Sequence, residues 1–197
     1  MNSTNPFIYS DDNKRYHTLN YYNKSSFNSK VFKAVIDAGF TCPNKDGTKG
    51  TGGCIYCMGG SGYFTEKSDG EIYDSVKRQL AAEKERIYKK HPDSLITAYF
   101  QANTNTYAPV ATLKEAYTAA LDFGVHGISI GTRADCLPDD VIALLCDINS
   151  KTHLTVELGL QTIHDKSAQI INRCYSYDEF LEGYRKLQES GIRTCLH

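Results

Sequence analysis

The chain has 197 residues, 41% of them hydrophobic and 23% charged, with a formal net charge of −1. That length and balance suit one globular domain with a real core and argue against disorder, and the near-zero charge leaves no global nucleic-acid footprint, although residues 1–50 carry seven Lys/Arg against four Asp. The amino terminus lacks the apolar segment of a secretory signal and no run approaches the ~18 apolar residues of a membrane span, so no membrane association is expected and the expected location is cytoplasmic.

Residues 1–29 are polar and rich in Tyr, Asn, Ser and Lys, which predicts an N-terminal extension, part helix and part loop, ahead of a main domain over 30–197. "KVFKAVIDAGF" (30–40) alternates apolar and polar residues as a strand does. The loop "FTCPNKDGTKGTGGCIYC" (40–57) holds three cysteines, and seven glycines fall between Gly47 and Gly62. In "GEIYDSVKRQLAAEKERIYKKH" (70–91), Ile72, Val76 and Leu80 recur at helical spacing. "SLITAYFQA" (94–102) is strand-like. "TLKEAYTAALDFG" (112–124) predicts a helix with Thr112 as N-cap, Glu115 completing a capping box and Gly124 past its end.

"HGISIGT" (126–132) predicts a strand, and "LPDDVIALLCDI" (137–148) a helix with Pro138 near its start and two Asp in the first turn. "HLTVELGLQT" (153–162) predicts a strand, "HDKSAQIINR" (164–173) a short helix, and "SYDEFLEGYRKLQESG" (176–191) a helix closed by Gly191. "IRTCLH" (192–197) begins a strand and stops, which suggests an N-terminal piece of a longer protein. The alternation implies an α/β fold with a parallel sheet and helical crossovers, either barrel-like or doubly wound. Such sheets bind ligands beyond the C-terminal ends of their strands, where the cysteine loop lies. That loop is also longer than an ordinary connector.

Seven cysteines without an export signal point to a metal site or chemistry before disulfides. Cys54 and Cys57 can grip one metal or one cluster together, and Cys42 can fold back across the loop. The glycines Gly50, Gly52, Gly53, Gly59, Gly60 and Gly62 permit the turns this requires. A structural zinc site needs a fourth ligand, such as Cys136 or His126. An iron–sulfur cube held by three cysteines leaves one iron open to a small molecule. Spacing alone leaves both readings open. Cys136, Cys146, Cys174 and Cys195 read as scattered buried thiols. Glu157 and Gln161, four apart, share a face of an ideal strand opposite Val156, Leu158 and Leu160. A carboxylate facing a barrel interior needs a partner, which singles out Glu157.

From about Tyr16 to His197 the sequence resembles radical S-adenosylmethionine (SAM) proteins, in the YhcC-like branch related to the Elongator catalytic subunit. The segments that carry the resemblance are "KVFKAVIDAGFTCPNKDGTKGTGGCIYC", "GGSGYF", "AYFQANTNTYAP", "GTRADCLPDDV", "VELGLQT" and "INR". The resemblance implies a partial (β/α) TIM-type barrel, here truncated after about the fifth strand, with a "GLPGE"-like segment further on in the family. It implies that Cys42, Cys54 and Cys57 hold a [4Fe–4S] cluster whose open iron chelates SAM, and that a 5′-deoxyadenosyl radical takes hydrogen from substrate.

Tyr56, just ahead of the loop's last cysteine, is an aromatic that can pack on a flat ligand, and by the same resemblance Gln101, Asn103 and Thr104 stand at the second strand end near the SAM amino group. Glu157 and Gln161 reach its ribose and methionine parts, and Arg173 pairs with its carboxylate, with Arg133 a weaker candidate of that type and His197 at an inward position. The family pattern has an aromatic in place of Asn103, proline in place of Ala134, and Gly-His in place of Cys174-Tyr175. The implied substrate is transfer RNA, with the wobble uridine as the implied position, and Lys14, Arg15, Lys24, Lys30 and Lys33 are available for phosphate. The implied electron donor is reduced flavodoxin or ferredoxin. A radical SAM enzyme acting on a small molecule or protein is the nearest alternative, and a non-enzymatic zinc-stabilised binding domain is the alternative of another class.

Overall fold

Five strands alternate with helices in the computed structural model, which describes residues 14–57, 68–101 and 103–197. Helix α1 (Leu19–Phe27) precedes β1 (Val31–Ile36), followed by α2 (Ile72–Tyr88), β2 (Leu95–Phe100), α3 (Val110–Phe123) and β3 (Gly127–Thr132). Then come α4 (Asp139–Asn149), β4 (His153–Leu158), α5 (Asp165–Ile170), α6 (Tyr177–Glu189) and β5 (Arg193–Leu196). Every strand pair is parallel and the spatial order is β1-β2-β3-β4-β5. A doubly wound sheet would reverse its order at a switch point. The unbroken order instead winds in one direction, as in part of a barrel.

Register sorts the strand residues into two faces. Ala34, Ala98, Ile128 and Leu154 align on one face, as do Ile36, Phe100, Ile130 and Val156, and all are buried against the helices. Val76 and Leu80 of α2, Leu113 and Tyr117 of α3, Leu145 of α4 and Leu187 of α6 complete that core. Burying side chains of this size contributes about 1.5–3 kcal/mol each. Lys33, Thr97, Tyr99, Ser129, Thr155, Glu157 and Cys195 alternate with the apolar set and take the concave, polar face.

Edge strand β1 is guarded by α2. Glu83 accepts from the Val35 N–H at 3.4 Å, and Gln79 bonds both the N–H and the carbonyl of Asp37, at 2.9 and 2.8 Å. This satisfies backbone that an open edge would expose. Helix α3 starts at Val110, two residues before the expected N-cap, because Pro109 with φ −54° already presets the first turn; Gly124 closes it at φ 82° as expected. Pro138 caps α4 rather than lying inside it. The capping box falls instead on α6, between Ser176 and Glu179. Strand β4 stops at Leu158, short of the expected 162, where its partners β3 and β5 also end at Thr132 and Leu196, and Gln161 beyond it takes φ 61°. Cys136 is buried as expected, whereas Cys146 and Cys195 are exposed, the first on the solvent side of α4 and the second on the sheet's last strand.

Candidate functional site

The loop after β1 is a folded unit. Lys45 and Asp46 donate to the Cys42 carbonyl at 2.8 and 3.1 Å, Lys49 and Gly50 to that of Pro43 at 2.8 and 3.1 Å, and Gly53 to that of Asn44 at 2.8 Å. Gly52 and Gly53 take φ values of 78° and 76°, a left-handed pair just ahead of Cys54 that side chains would resist. Expected turn residues Gly59, Gly60 and Gly62, and the "GGSGYF" segment, lie outside the described residues.

The chain between α5 and α6 bolts this loop down. Ile55 N–H donates to the Ile171 carbonyl at 3.1 Å, and the Asn172 amide donates to the Gly53 carbonyl at 2.8 Å. Lys49 reaches Asp135 at 2.7 Å and Glu179 at 2.8 Å. Arg133 grips the same Asp135 in bidentate fashion at 2.9 and 2.8 Å, and donates to the Arg173 carbonyl at 2.9 Å. Lys49 thus ties the loop to the segment after β3 through the buried Asp135 carboxylate, and to α6 through the more exposed Glu179.

Above the C-terminal ends of β2, β3 and β4 lies a cavity of about 440 Å³ bordered by Cys42, Cys54 and Cys57 together. Tyr56, Gln101, Asn103, Thr104, Arg133, Glu157, Gln161, Arg173 and His197 also line it, so the residues expected around the cluster and SAM border one cavity. Their environments differ sharply. The Thr104 hydroxyl is buried and has no protein partner, whereas Gln101 and Gln161 are exposed at the rim. A buried hydroxyl without a partner, facing a cavity, calls for a ligand or water. Tyr56 is half-exposed, and its phenol pKa is pushed up by burial first and then by the Cys54 sulfur.

Asn103 serves the loop rather than the cavity: its amide donates to the Phe40 carbonyl and accepts from Lys45, both at 2.7 Å. Arg173 is held by backbone carbonyls in the wall of the cavity. It is 1% exposed, donates to the Leu160 and Thr162 carbonyls at 2.6 Å and to that of Tyr175 at 3.1 and 2.9 Å, and lies 4.4 Å from the Tyr175 ring centroid. Its hydrogen bonds go to backbone, with the Asp165 carboxylate 3.9 Å away, and Arg133 is engaged by Asp135 and the Arg173 carbonyl.

Glu157 projects from β4 into the concave face and is 3% exposed. It pairs with Lys33 of β1 and, at 2.9 Å, with His197. Burial would raise its pKa, but Lys33 first, then His197 and Ser129, hold it below the usual carboxylate range. Gln161 reaches the same cavity through its left-handed turn and its N–H bond to the His197 carbonyl at 2.6 Å, not through strand alternation.

Sequence reasoning missed Asn172, Asp135, Tyr175 and Tyr99, and offered Lys33 to phosphate rather than to Glu157. "INR" pointed to the region of Asn172, while the Lys33 contact depends on sheet curvature that no local pattern carries.

The donor set fits one of the two metal readings better than the other. Ligands on one zinc stand about 3.8 Å apart, from Zn–S bonds of about 2.3 Å. Among the described residues no three Cys, His, Asp or Glu side chains form such a group. His126 precedes β3 at the opposite end of the sheet, and Cys136 faces a separate cavity. Three thiols around one roomier cavity fit a polynuclear cluster, whose corners hold ligands farther apart, with space beside it for an organic ligand. No helix among the described residues is long and apolar enough to cross a membrane.

The family model described as the radical SAM superfamily matches residues 46–197. The uncharacterized protein YtqA of Bacillus subtilis is 48% identical over all of this chain, which covers 61% of that relative. Protein YhcC of Escherichia coli K12 is 35% identical over 87% of this chain and 54% of its own length. The uncharacterized protein MJ0486 of Methanocaldococcus jannaschii is 33% identical over 89% of this chain and 53% of its own length. The chain therefore spans little more than half the length of these relatives.

Proposed function

Because this chain belongs to the radical SAM superfamily, whose enzymes use a [4Fe–4S] cluster and SAM, we propose that Cys42, Cys54 and Cys57 hold three irons of that cluster and that the cavity they border takes SAM. When bound, this pair supplies reductive cleavage of SAM to methionine and a 5′-deoxyadenosyl radical that takes a hydrogen atom from substrate. The chain's residues bind and orient. Thr104 offers a buried hydroxyl with no competing partner, and Gln101 and Gln161 offer amides at the rim. Tyr56, half-exposed next to the cysteines, is placed to pack against the bound group. Glu157 stays ionised and presents a fixed anion to hydroxyl or ammonium groups, while Arg173 holds the wall.

The observation that carries this reading is the convergence of three thiols from one loop on a cavity that also holds the lone Thr104 hydroxyl. Anaerobic reconstitution of the protein should give a brown species with about four irons and four sulfides per chain. Dithionite and SAM should then yield 5′-deoxyadenosine, and Cys54→Ala should lose both cluster and product. A loaded protein that makes no 5′-deoxyadenosine, or product surviving in Cys54→Ala, overturns the proposal.

For the substrate we propose transfer RNA at the wobble uridine, with reduced flavodoxin or ferredoxin as electron donor and the cytoplasm as the setting. The support is the resemblance to the Elongator branch. The basic residues lend less: Lys24 lies on α1 and Lys30 just ahead of β1, at the end of the sheet away from the cysteine loop, and Lys33 is engaged with Glu157. That placement favours, as the second reading, a small-molecule or protein substrate entering the concave face. Nucleoside analysis of transfer RNA from a strain lacking the protein separates them, since an unchanged profile sinks the RNA reading.

A further inference from the structure

We propose that Asn44 sets the reduction potential of the cluster by donating an N–H···S hydrogen bond to Cys54, an inference that rests on the cofactor reading above. Asn44 lies inside the cysteine loop and is fully buried, at 0% exposure. Its Nδ2 is 3.5 Å from Cys54 Sγ and 2.5 Å from the Asn172 carbonyl oxygen. Both neighbours are acceptors, so the nitrogen rather than the oxygen of the amide must face them.

Two neighbours keep the amide in that orientation. The Asn172 carbonyl is fixed because Asn172 sits at φ 55° with its own side chain bonded to Gly53. On the other side Asn44 Oδ1 turns toward Gly50, where an added Cβ would fall 2.3 Å away. Gly50 is thus a close-approach glycine: its missing side chain leaves room for the amide oxygen. That oxygen is buried with no protein partner, which simple packing would avoid. Presenting the N–H to sulfur accounts for the arrangement.

The physical consequence has a sign. One-electron reduction adds negative charge to the cluster and its thiolates. A positive N–H end at one sulfur favours the reduced form more than the oxidised one, and so raises the potential. Asn44 acts through Cys54 and is a positioning and tuning residue rather than a catalytic one.

The test is a dithionite redox titration of reconstituted protein, followed by electron paramagnetic resonance. Asn44→Ala should shift the midpoint to more negative potential with iron and sulfide content unchanged. Gly50→Ala, which keeps Asn44 but displaces its amide, should shift it the same way. A fully loaded Asn44→Ala with an unmoved midpoint overturns the proposal. A second readout needs no variant to fold: wild-type protein carrying ¹⁵N in its asparagine side chains should show nitrogen hyperfine coupling to the reduced cluster. Loaded wild type without that coupling overturns this proposal alone, whereas wild type that binds no iron overturns the cofactor reading and this one with it.

Discussion

Lys33 of β1 and Glu157 of β4 form an ion pair across the concave face, with β2 and β3 between their strands. On a flat sheet, three steps of about 4.8 Å would put these strands about 14 Å apart. Side chains standing perpendicular to such a sheet could not meet. The pair therefore requires a sheet curled toward a barrel, and it places the Lys33 ammonium 4.0 Å from the Tyr99 ring centroid. Curvature, lumen polarity and the cavity above are one arrangement.

Glu157→Gln should destabilise the protein by about 2–3 kcal/mol near neutral pH, below the full value for a buried pair because Lys33 is partly exposed. The folded-state pKa of Glu157 is depressed. Its contribution is therefore complete above the unfolded-state value of about 4.3 and is lost as pH falls through the folded-state value. Urea denaturation of both proteins at pH 7 and through pH 5 to 3 checks this. The gap should close at the acid end, and a gap that persists there removes the ion pair as its cause.

Arg173→Lys should lower stability by about 2–4 kcal/mol, because one ammonium cannot serve the carbonyls of Leu160, Thr162 and Tyr175 together. The implied carboxylate-binding role makes a different prediction: weaker SAM binding at unchanged stability. Thermal unfolding and SAM titration of the loaded protein distinguish the two. A normal melting temperature with impaired SAM affinity would return Arg173 to the ligand.

Strand and helix order was legible because each element carries its own periodicity, as with Ile72, Val76 and Leu80 on α2. The cysteine triad was legible because it lies in one loop. What escaped was long-range. Nothing near Lys33 announces Glu157, 124 residues away, and nothing near Asn44 announces the Asn172 carbonyl, 128 residues away. Gln161 reached its expected cavity by a route the alternation rule does not describe, since a positive φ re-aims a side chain that strand geometry would place. Arg173 shows the same limit from the other side: a motif can locate a residue without saying whether its donors face a ligand or the backbone.

Cys174→Gly should stabilise the protein by about 0.5–1 kcal/mol. Cys174 takes φ 59°, a left-handed conformation that costs a residue with a Cβ about 1–2 kcal/mol. The larger unfolded-state entropy of glycine offsets part of the relief. The resemblance places glycine at this position, and the dihedral supplies its reason. Cys174→Ala is the control, because it loses the 3.2 Å sulfur contact with Asn172 Oδ1 but keeps the Cβ. Chemical denaturation should rank glycine above alanine, and the reverse order would refute backbone strain.

The N-terminal end of the sheet should respond to mild acid. Phe27 of α1 packs its ring 4.4 Å from His126 and 5.1 Å from His153, and the two imidazoles stack at 6.2 Å. Burial holds both below the ordinary imidazole range, and for His153 the charge of Arg193 and then His126 add to it. Arg193 is also tied to α1, donating to the Tyr22 hydroxyl at 2.7 Å. With both histidines neutral when folded, the unfolded chain binds more protons below about pH 6.5. Stability should therefore fall as pH drops from 7 to 5, with hydrogen exchange rising first in α1, where the rings meet. The double variant His126→Gln, His153→Gln should flatten that slope. If it does not, the histidine pair is not the sensor, and the acid response belongs to the carboxylates instead.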